Sequence, residues 1–199
     1  MEKIENHNSF YLHENPQRPP KELFKFLVRL AEPDLSSGST VLDIGCASGA
    51  FLHYLRSLHP TLGLAGIDVS PEFIEKARET GLYAELETND MLEGLRTKPD
   101  ASADLILAAD AMVYVADLVP ILKEANRVLA ASGVLAFTLE THAGDGVVIG
   151  DGLRYAHGAA YVRTLLQAAG LKLSQFGELS ARNEDNVPVP GLVVVAAKV

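Results

Sequence analysis

Thr40-Val41-Leu42-Asp43-Ile44-Gly45-Cys46-Ala47-Ser48-Gly49-Ala50-Phe51 is the stretch around which the rest of the chain is interpreted. Val41, Leu42 and Ile44 form an apolar, partly β-branched run that predicts a buried strand. Small residues from Gly45 to Ala50 interrupt it, and Phe51, Leu52, Tyr54 and Leu55 then suit a helix. Strand, glycine turn and helix together can offer free backbone N–H groups to a ligand. Gly45 and Gly49 lack a Cβ, so a ligand can approach the main chain there. An ordinary βα turn without a ligand uses the same residue types.

Leu64-Ala65-Gly66-Ile67-Asp68 supplies a second short strand that ends in a carboxylate. Asp68 stands about twenty residues beyond the loop, where such a carboxylate can hold both hydroxyls of a ribose. It can also cap the next helix, but Ser70-Pro71-Glu72 is a better helix start and leaves Asp68 free. Dinucleotides and S-adenosylmethionine both suit this arrangement. A dinucleotide loop needs Gly-x-Gly-x-x-Gly or a final Ala. Gly45, Ala47 and Ala50 occupy those places, so the middle glycine is missing. Asp43, two residues before the first glycine, suits the cationic amino group of a methionine moiety, directly or through water.

Val41 to Gly49 resembles the first motif of the class I S-adenosylmethionine-dependent methyltransferases, with Ala47 at a usual glycine position. Alanine fits there if its φ is negative. The resemblance covers roughly residues 38–140. It implies an α/β, single-domain, Rossmann-like sheet of seven mostly parallel strands. Their order is 3-2-1-4-5-7-6, the last strand is antiparallel, and helices lie on both faces. It also implies methyl transfer from S-adenosylmethionine to an acceptor O, N or C atom. The implied cofactor contacts are Tyr11, Asp43, Gly45, Cys46, Ala47, Gly49, Asp68, Val69, Asp90, Met91, Ala108 and Tyr114. Within that set Asp90 meets the adenine amino group and Met91 lies against the ring, although Asp90 equally suits an Asx cap on a short helix.

A chain of 199 residues suits one domain with a sizeable core. Hydrophobic content of 48% with 22% charged residues places it among globular proteins. No run approaches the roughly 20 apolar residues of a spanning helix, and the polar Met1-Glu2-Lys3-Ile4-Glu5-Asn6 has no signal-peptide core. The single cysteine, Cys46, allows no internal disulfide and leads us to expect a cytoplasmic, reducing setting. With no basic neighbour in sequence, it is not read as a nucleophile. A net charge of −9 with scattered Lys and Arg argues against a nucleic-acid substrate. A small-molecule acceptor is favoured, a protein side chain stays open, and no membrane association or metal is expected. Oligomeric state is not legible.

Residues 1–19 read as an irregular, proline-containing arm whose Phe10-Tyr11-Leu12 either stays a tail or closes over the ligand as a lid. Residues 20–199 form the expected methyltransferase domain. Helical spacing marks 20–31, Pro71 to Thr80 with Gly81 as its stop, and Asp117 through Ala131. Ala103 to Ala109 predicts a buried strand with Asp110 at its carboxyl end, where open α/β sheets bind ligands. Val134 to Leu139, Leu171 to Phe176 and Gly191 to Ala197 predict the remaining strands, and Glu140 to Gly152 a glycine-rich mobile substrate loop. No catalytic residue stands out. Tyr114, His142 and His157 are candidates, Tyr114 being open to a packing role as well and His157 to that of a helix-entry residue. Arg154-Tyr155-Ala156-His157, Tyr161-Val162, Gly81-Leu82-Tyr83 and Val187 to Val194 resemble a bacterial subgroup of predicted methyltransferases often fused to tetratricopeptide repeats. A non-catalytic cofactor-binding or scaffold protein and a nicotinamide-dependent reductase are the alternative readings.

Overall fold

The computed structural model describes Leu27, Arg29 and residues 35–49, 52–150, 153–180, 183–184 and 187–199. The chain alternates strands and helices up to its last third. β1 (Thr40–Ile44) leads through the glycine loop to α1 (Leu52–Leu58) and β2 (Gly63–Asp68). Next come α2 (Pro71–Glu79), β3 (Glu85–Thr88), α3 (Met91–Thr97) and β4 (Ala103–Ala108). A 3₁₀ turn at Met112–Tyr114 precedes α4 (Val119–Val128) and the long β5 (Leu129–Glu140). The last third holds β6 (Val147–Ile149), β7 (Tyr155–His157), α5 (Ala159–Ala168) and β8 (Leu171–Glu178). It ends with β9 (Asn183–Glu184), β10 (Val187–Pro188) and β11 (Gly191–Lys198).

The principal sheet runs β3-β2-β1-β4-β5-β11-β8. With the short β6, β7, β9 and β10 set aside, this is the expected order 3-2-1-4-5-7-6. β1 pairs parallel with β2 and β4, whereas β11 is antiparallel to both β5 and β8. Successive strand residues point to opposite faces, and each face has its own core. Leu42, Ile44, Ile106, Ala108, Leu135, Phe137, Leu192 and Val194 pack with Leu95, Ile121, Leu122, Val162 and Leu166 from α3, α4 and α5. Val41, Leu105, Leu107, Val134, Ala136, Val193 and Val195 pack on the other face with Leu27, Leu52 and Leu55. Both faces are apolar, which is why β4 and β11 read as nearly continuous hydrophobic runs.

Two elements depart from the sequence reading. The helix expected through Ala131 stops at Val128, and Leu129 opens β5. Its last carbonyls have partners outside the helix: the Ala101 N–H donates to Arg127 O at 3.0 Å and the Ser102 N–H to Val128 O at 2.8 Å. These bonds dock the helix end on the turn before β4, and Leu129 pairs with Ala103 as strand. The expected loop from Glu140 to Gly152 contains β6, which pairs antiparallel with β7 in a short hairpin. Most of the 20–31 helix and the 1–19 arm lie outside the described residues; Leu27 and Arg29 are helical.

Candidate functional site

The carboxyl ends of β1, β2, β3 and β4 face a cavity of about 740 Å³, within the range of small-molecule sites. Gly45 and Ala47 come from the loop after β1. Asp68, Val69, Ser70 and Phe73 come from the end of β2 and the start of α2. Asp90, Met91 and Leu92 come from the start of α3. Ala109, Asp110, Ala111, Tyr114, Val115, Asp117 and Ile121 follow β4.

Asp68 joins the first two of these segments. Its Oδ2 accepts the Ala47 N–H at 2.9 Å and its Oδ1 the Ser70 N–H at 2.9 Å, and the residue is 9% exposed. Ser70, not Asp68, caps α2, accepting the Phe73 N–H on its Oγ with Pro71 opening the helix. The carboxylate is thus held rigidly on the cavity wall and keeps acceptor capacity on each oxygen. Ala47 was expected to have a negative φ; it has +47°. The bond to Asp68 holds it in the left-handed region.

The loop does not present a row of open donors. The Gly45 and Cys46 N–H groups both donate to Ile67 O, at 2.8 and 3.0 Å, and the Gly49 N–H donates to Cys46 O at 2.9 Å. With Ala47 bonded to Asp68, four of the five N–H groups from Gly45 to Gly49 are satisfied within the protein. The expectation of free loop N–H groups is corrected accordingly. A pyrophosphate, which needs such donors, is poorly served here.

Gly45, Ala47, Asp68, Val69, Asp90, Met91 and Tyr114 line the cavity, so the structure brings together seven of the expected cofactor contacts. Asp43, Cys46, Gly49 and Ala108 stand behind its wall. Asp43 is 2% exposed, and the Tyr83 hydroxyl donates to its Oδ2 at 2.9 Å. Burial first, then the nearby Asp68, raises the Asp43 pKa to about 7 against the opposing Tyr83 bond. Burial and the charges of Asp43 and Asp68 push the Cys46 thiol up, away from thiolate chemistry. The Tyr83 ring covers Gly49, where a Cβ would sit 2.7 Å from Cε2. Ala108 is fully buried within the core. Tyr11 lies outside the described residues.

Asp90 caps α3, its Oδ1 accepting the Leu92 and Glu93 N–H groups, and still lines the cavity. The cap and ligand readings are therefore compatible in space. Val69 and Phe73 are exposed beside Met91 and Leu92, so an aromatic base would find an apolar slot there.

The three catalytic candidates separate. Tyr114 is on the cavity wall and 61% exposed. His142 organises the β5–β6 loop: its Nδ1 accepts the Gly144 N–H at 3.1 Å and its Nε2 bonds Gly146 O at 3.3 Å. His157 is fully buried, with Nε2 3.3 Å from Ala116 O. Burial lowers its pKa despite that bond, and His142 lowers it further. Neither histidine lines the cavity.

Arg154, just before β7, is a buried residue that the sequence did not mark as part of the site. Its Nε donates to Glu140, its Nη2 to Asp110 and its Nη1 to the Tyr114 hydroxyl at 3.0 Å. Burial opposes its charge, but Asp110 and Glu140 outweigh burial and raise its pKa. The guanidinium fastens the β6–β7 hairpin to the turn after β4. Its only signal was its place in the Arg154-Tyr155-Ala156-His157 motif, which carried a family resemblance and no role. Phe73, Leu92 and Ile121 were also missed as lining residues, because helix-face apolar residues read as core. Among the described residues no His/Cys/Asp/Glu group could hold a metal ion, and no helix is long and apolar enough to cross a membrane.

Comparison with known proteins agrees with this geometry. The chain is 31% identical over 122 residues to the trans-aconitate 2-methyltransferase of Variovorax paradoxus (strain S110), covering 61% of this chain and 44% of that protein. It is 33% identical over 116 residues to the aklanonic acid methyltransferase DauC of Streptomyces sp. (strain C5), covering 56% and 52%. The chain thus spans about half the length of the curated relatives it matches. Among solved structures, an S-adenosylmethionine dependent methyltransferase from Mesorhizobium loti superposes with a TM-score of 0.68 at 17% identity, covering 87% of this chain and 96% of that one. The [4+2]-cyclase SpnF superposes with a TM-score of 0.72 at 20% identity, covering 89% and 80%. These two likenesses carry the fold alone. Residues 35–146, more than half of the chain, match the family model described as a methyltransferase domain, and the chain belongs to that family.

Proposed function

We propose that this protein binds S-adenosylmethionine in the cavity at the carboxyl ends of β1–β4 and transfers its methyl group to a small-molecule acceptor. One observation carries the reading: Asp68 closes β2 on the cavity wall, clamped by the Ala47 and Ser70 N–H groups. A fixed carboxylate there suits two vicinal hydroxyls. The neighbouring Val69, Phe73, Met91 and Leu92 suit an aromatic base, and Asp90 its amino group. When bound, S-adenosylmethionine supplies an electrophilic methyl group that needs no further activation. The protein then has to hold the acceptor in line at attack distance and exclude water. No strong base lines the described cavity, and this chemistry does not require one.

The bonded loop amides support this reading over a nicotinamide-dependent reductase. The trans-aconitate and aklanonic acid enzymes act on small molecules by name, which supports a small acceptor here. Kinship with the methyltransferases fused to tetratricopeptide repeats, and closure of Phe10-Tyr11-Leu12 as a lid, belong to the same proposal. They rest on the sequence motifs. A second reading, a non-catalytic cofactor-binding or scaffold protein, uses the same cavity, since one fold hosts many functions.

Calorimetry with S-adenosylhomocysteine and with NADH tests the binding claim. One site for the former and none for the latter is expected; the reverse overturns the proposal. S-adenosylhomocysteine release during turnover then separates transfer from binding alone.

A further inference from the structure

We propose that the acceptor is an amine-bearing small molecule and that the wall formed by Asp110, Tyr114 and Asp117 selects against acids. This rests on the methyl-transfer reading of the same cavity. The described lining contains four carboxylates, Asp68, Asp90, Asp110 and Asp117, and no Lys, Arg or His. Asp68 and Asp90 belong to the nucleoside side of that reading. Asp110 and Asp117 follow β4 and face the remaining space.

Among the described residues, Arg154 does not reverse the balance. Arg154 is buried, and its Nε, Nη1 and Nη2 are already engaged by Glu140, Tyr114 and Asp110. Arg154 offsets Asp110, and Asp117, outside that pair and in no ion pair among the described residues, leaves the described wall with a net negative charge. Bonds to Asp110, Tyr114 and Glu140 hold the Arg154 guanidinium in place behind the wall. An acceptor carboxylate would therefore meet like charge on this wall, and an amine would meet opposite charge and hydrogen-bond acceptors. Val115 and Ile121 offer its carbon skeleton an apolar surface. The inference departs from the relatives named for acids, whose matched segments cover only about 44–52% of their own length.

The reaction balances without a further reactant. The acceptor, bound as an ammonium, first releases a proton to water; the neutral nitrogen then forms the N–C bond with its lone pair as the S–C bond breaks and sulfur keeps the electron pair. The positive charge passes to nitrogen, and a proton then leaves to water. Asp110 and Asp117 hold the amine N–H groups and so orient the lone pair.

The test uses the whole chain saturated with S-adenosylhomocysteine, with benzylamine, benzyl alcohol and benzoate as matched probes in ligand-observed NMR titrations. Benzylamine is expected to bind about tenfold or more tightly than benzoate, with the gap shrinking severalfold in D110N, in D117N and at high salt. D117N keeps the test open if D110N does not fold, because Asp117 is exposed and outside the Arg154 cluster. Benzoate binding as well as benzylamine, no benzylamine binding, or a preference untouched in the folded variants overturns the inference alone. Failure of the wild-type protein to bind S-adenosylhomocysteine overturns the methyl-transfer reading and the inference with it.

Discussion

Ala47 has a φ of +47°, a backbone state that costs a residue with a Cβ about 1–2 kcal/mol. Ala47→Gly removes that penalty but adds unfolded-state freedom. The expected net effect is a stabilisation of about 0.5–1 kcal/mol in urea unfolding, with Asp68 still accepting the loop N–H. The opposite sign would show that the loop is not strained there. Asp43 makes a second prediction at this scale. Its pKa is about 7 in the folded chain against an ordinary 3.8, so the folded state holds a proton that the unfolded state has released. Stability from this group is full below pH 4 and is lost as pH rises to about 7, on the order of 4 kcal/mol in all. Asp43→Asn is expected to flatten the fall between pH 5 and 7.5; an unchanged slope would locate it elsewhere. At this scale Asp68 and Ser70 were legible, because cap chemistry separates their roles. The sign of φ at Ala47 was not, because it depends on a hydrogen bond from another strand.

A buried guanidinium ties the β6–β7 hairpin to the turn after β4, beside the contact of His157 with Ala116 O. Replacing Arg154 with Met leaves Asp110 and Glu140 without that partner, at an expected cost of about 3 kcal/mol. In a chain of this size that lowers Tm by roughly 6–12 °C. A Tm within a degree of wild type would mean that the ion pairs do not hold the hairpin. Element boundaries were legible where local chemistry sets them, as at Ser70-Pro71 and Gly81. They were missed where tertiary contacts decide. Nothing at Leu129-Ala130-Ala131 stops a helix locally, and it is the N–H groups of Ala101 and Ser102 that end α4. The hairpin was hidden because glycine and aspartate outnumber its three-residue strands.

At the scale of the whole molecule, alternating periodicity made the parallel sheet legible, whereas its order came from the motif around Gly45. The apolar half of the cavity was hidden, since Phe73, Leu92 and Ile121 carry the same helical spacing as core residues. A ligand that binds only the folded chain stabilises it, by about 2.7 kcal/mol at a hundred times Kd. S-adenosylhomocysteine at that excess is expected to raise Tm by roughly 5–10 °C and NADH to leave it unchanged. A shift with NADH alone would favour the reductase. The central claim is that Asp68 clasps the sugar of a sulfonium nucleoside, and a crystal structure of the complex with S-adenosylhomocysteine tests it most directly. Both ribose hydroxyls are expected within hydrogen-bond distance of the Asp68 carboxylate and the base against Val69 and Met91; a nucleoside bound elsewhere, or one whose sugar does not touch Asp68, would contradict it.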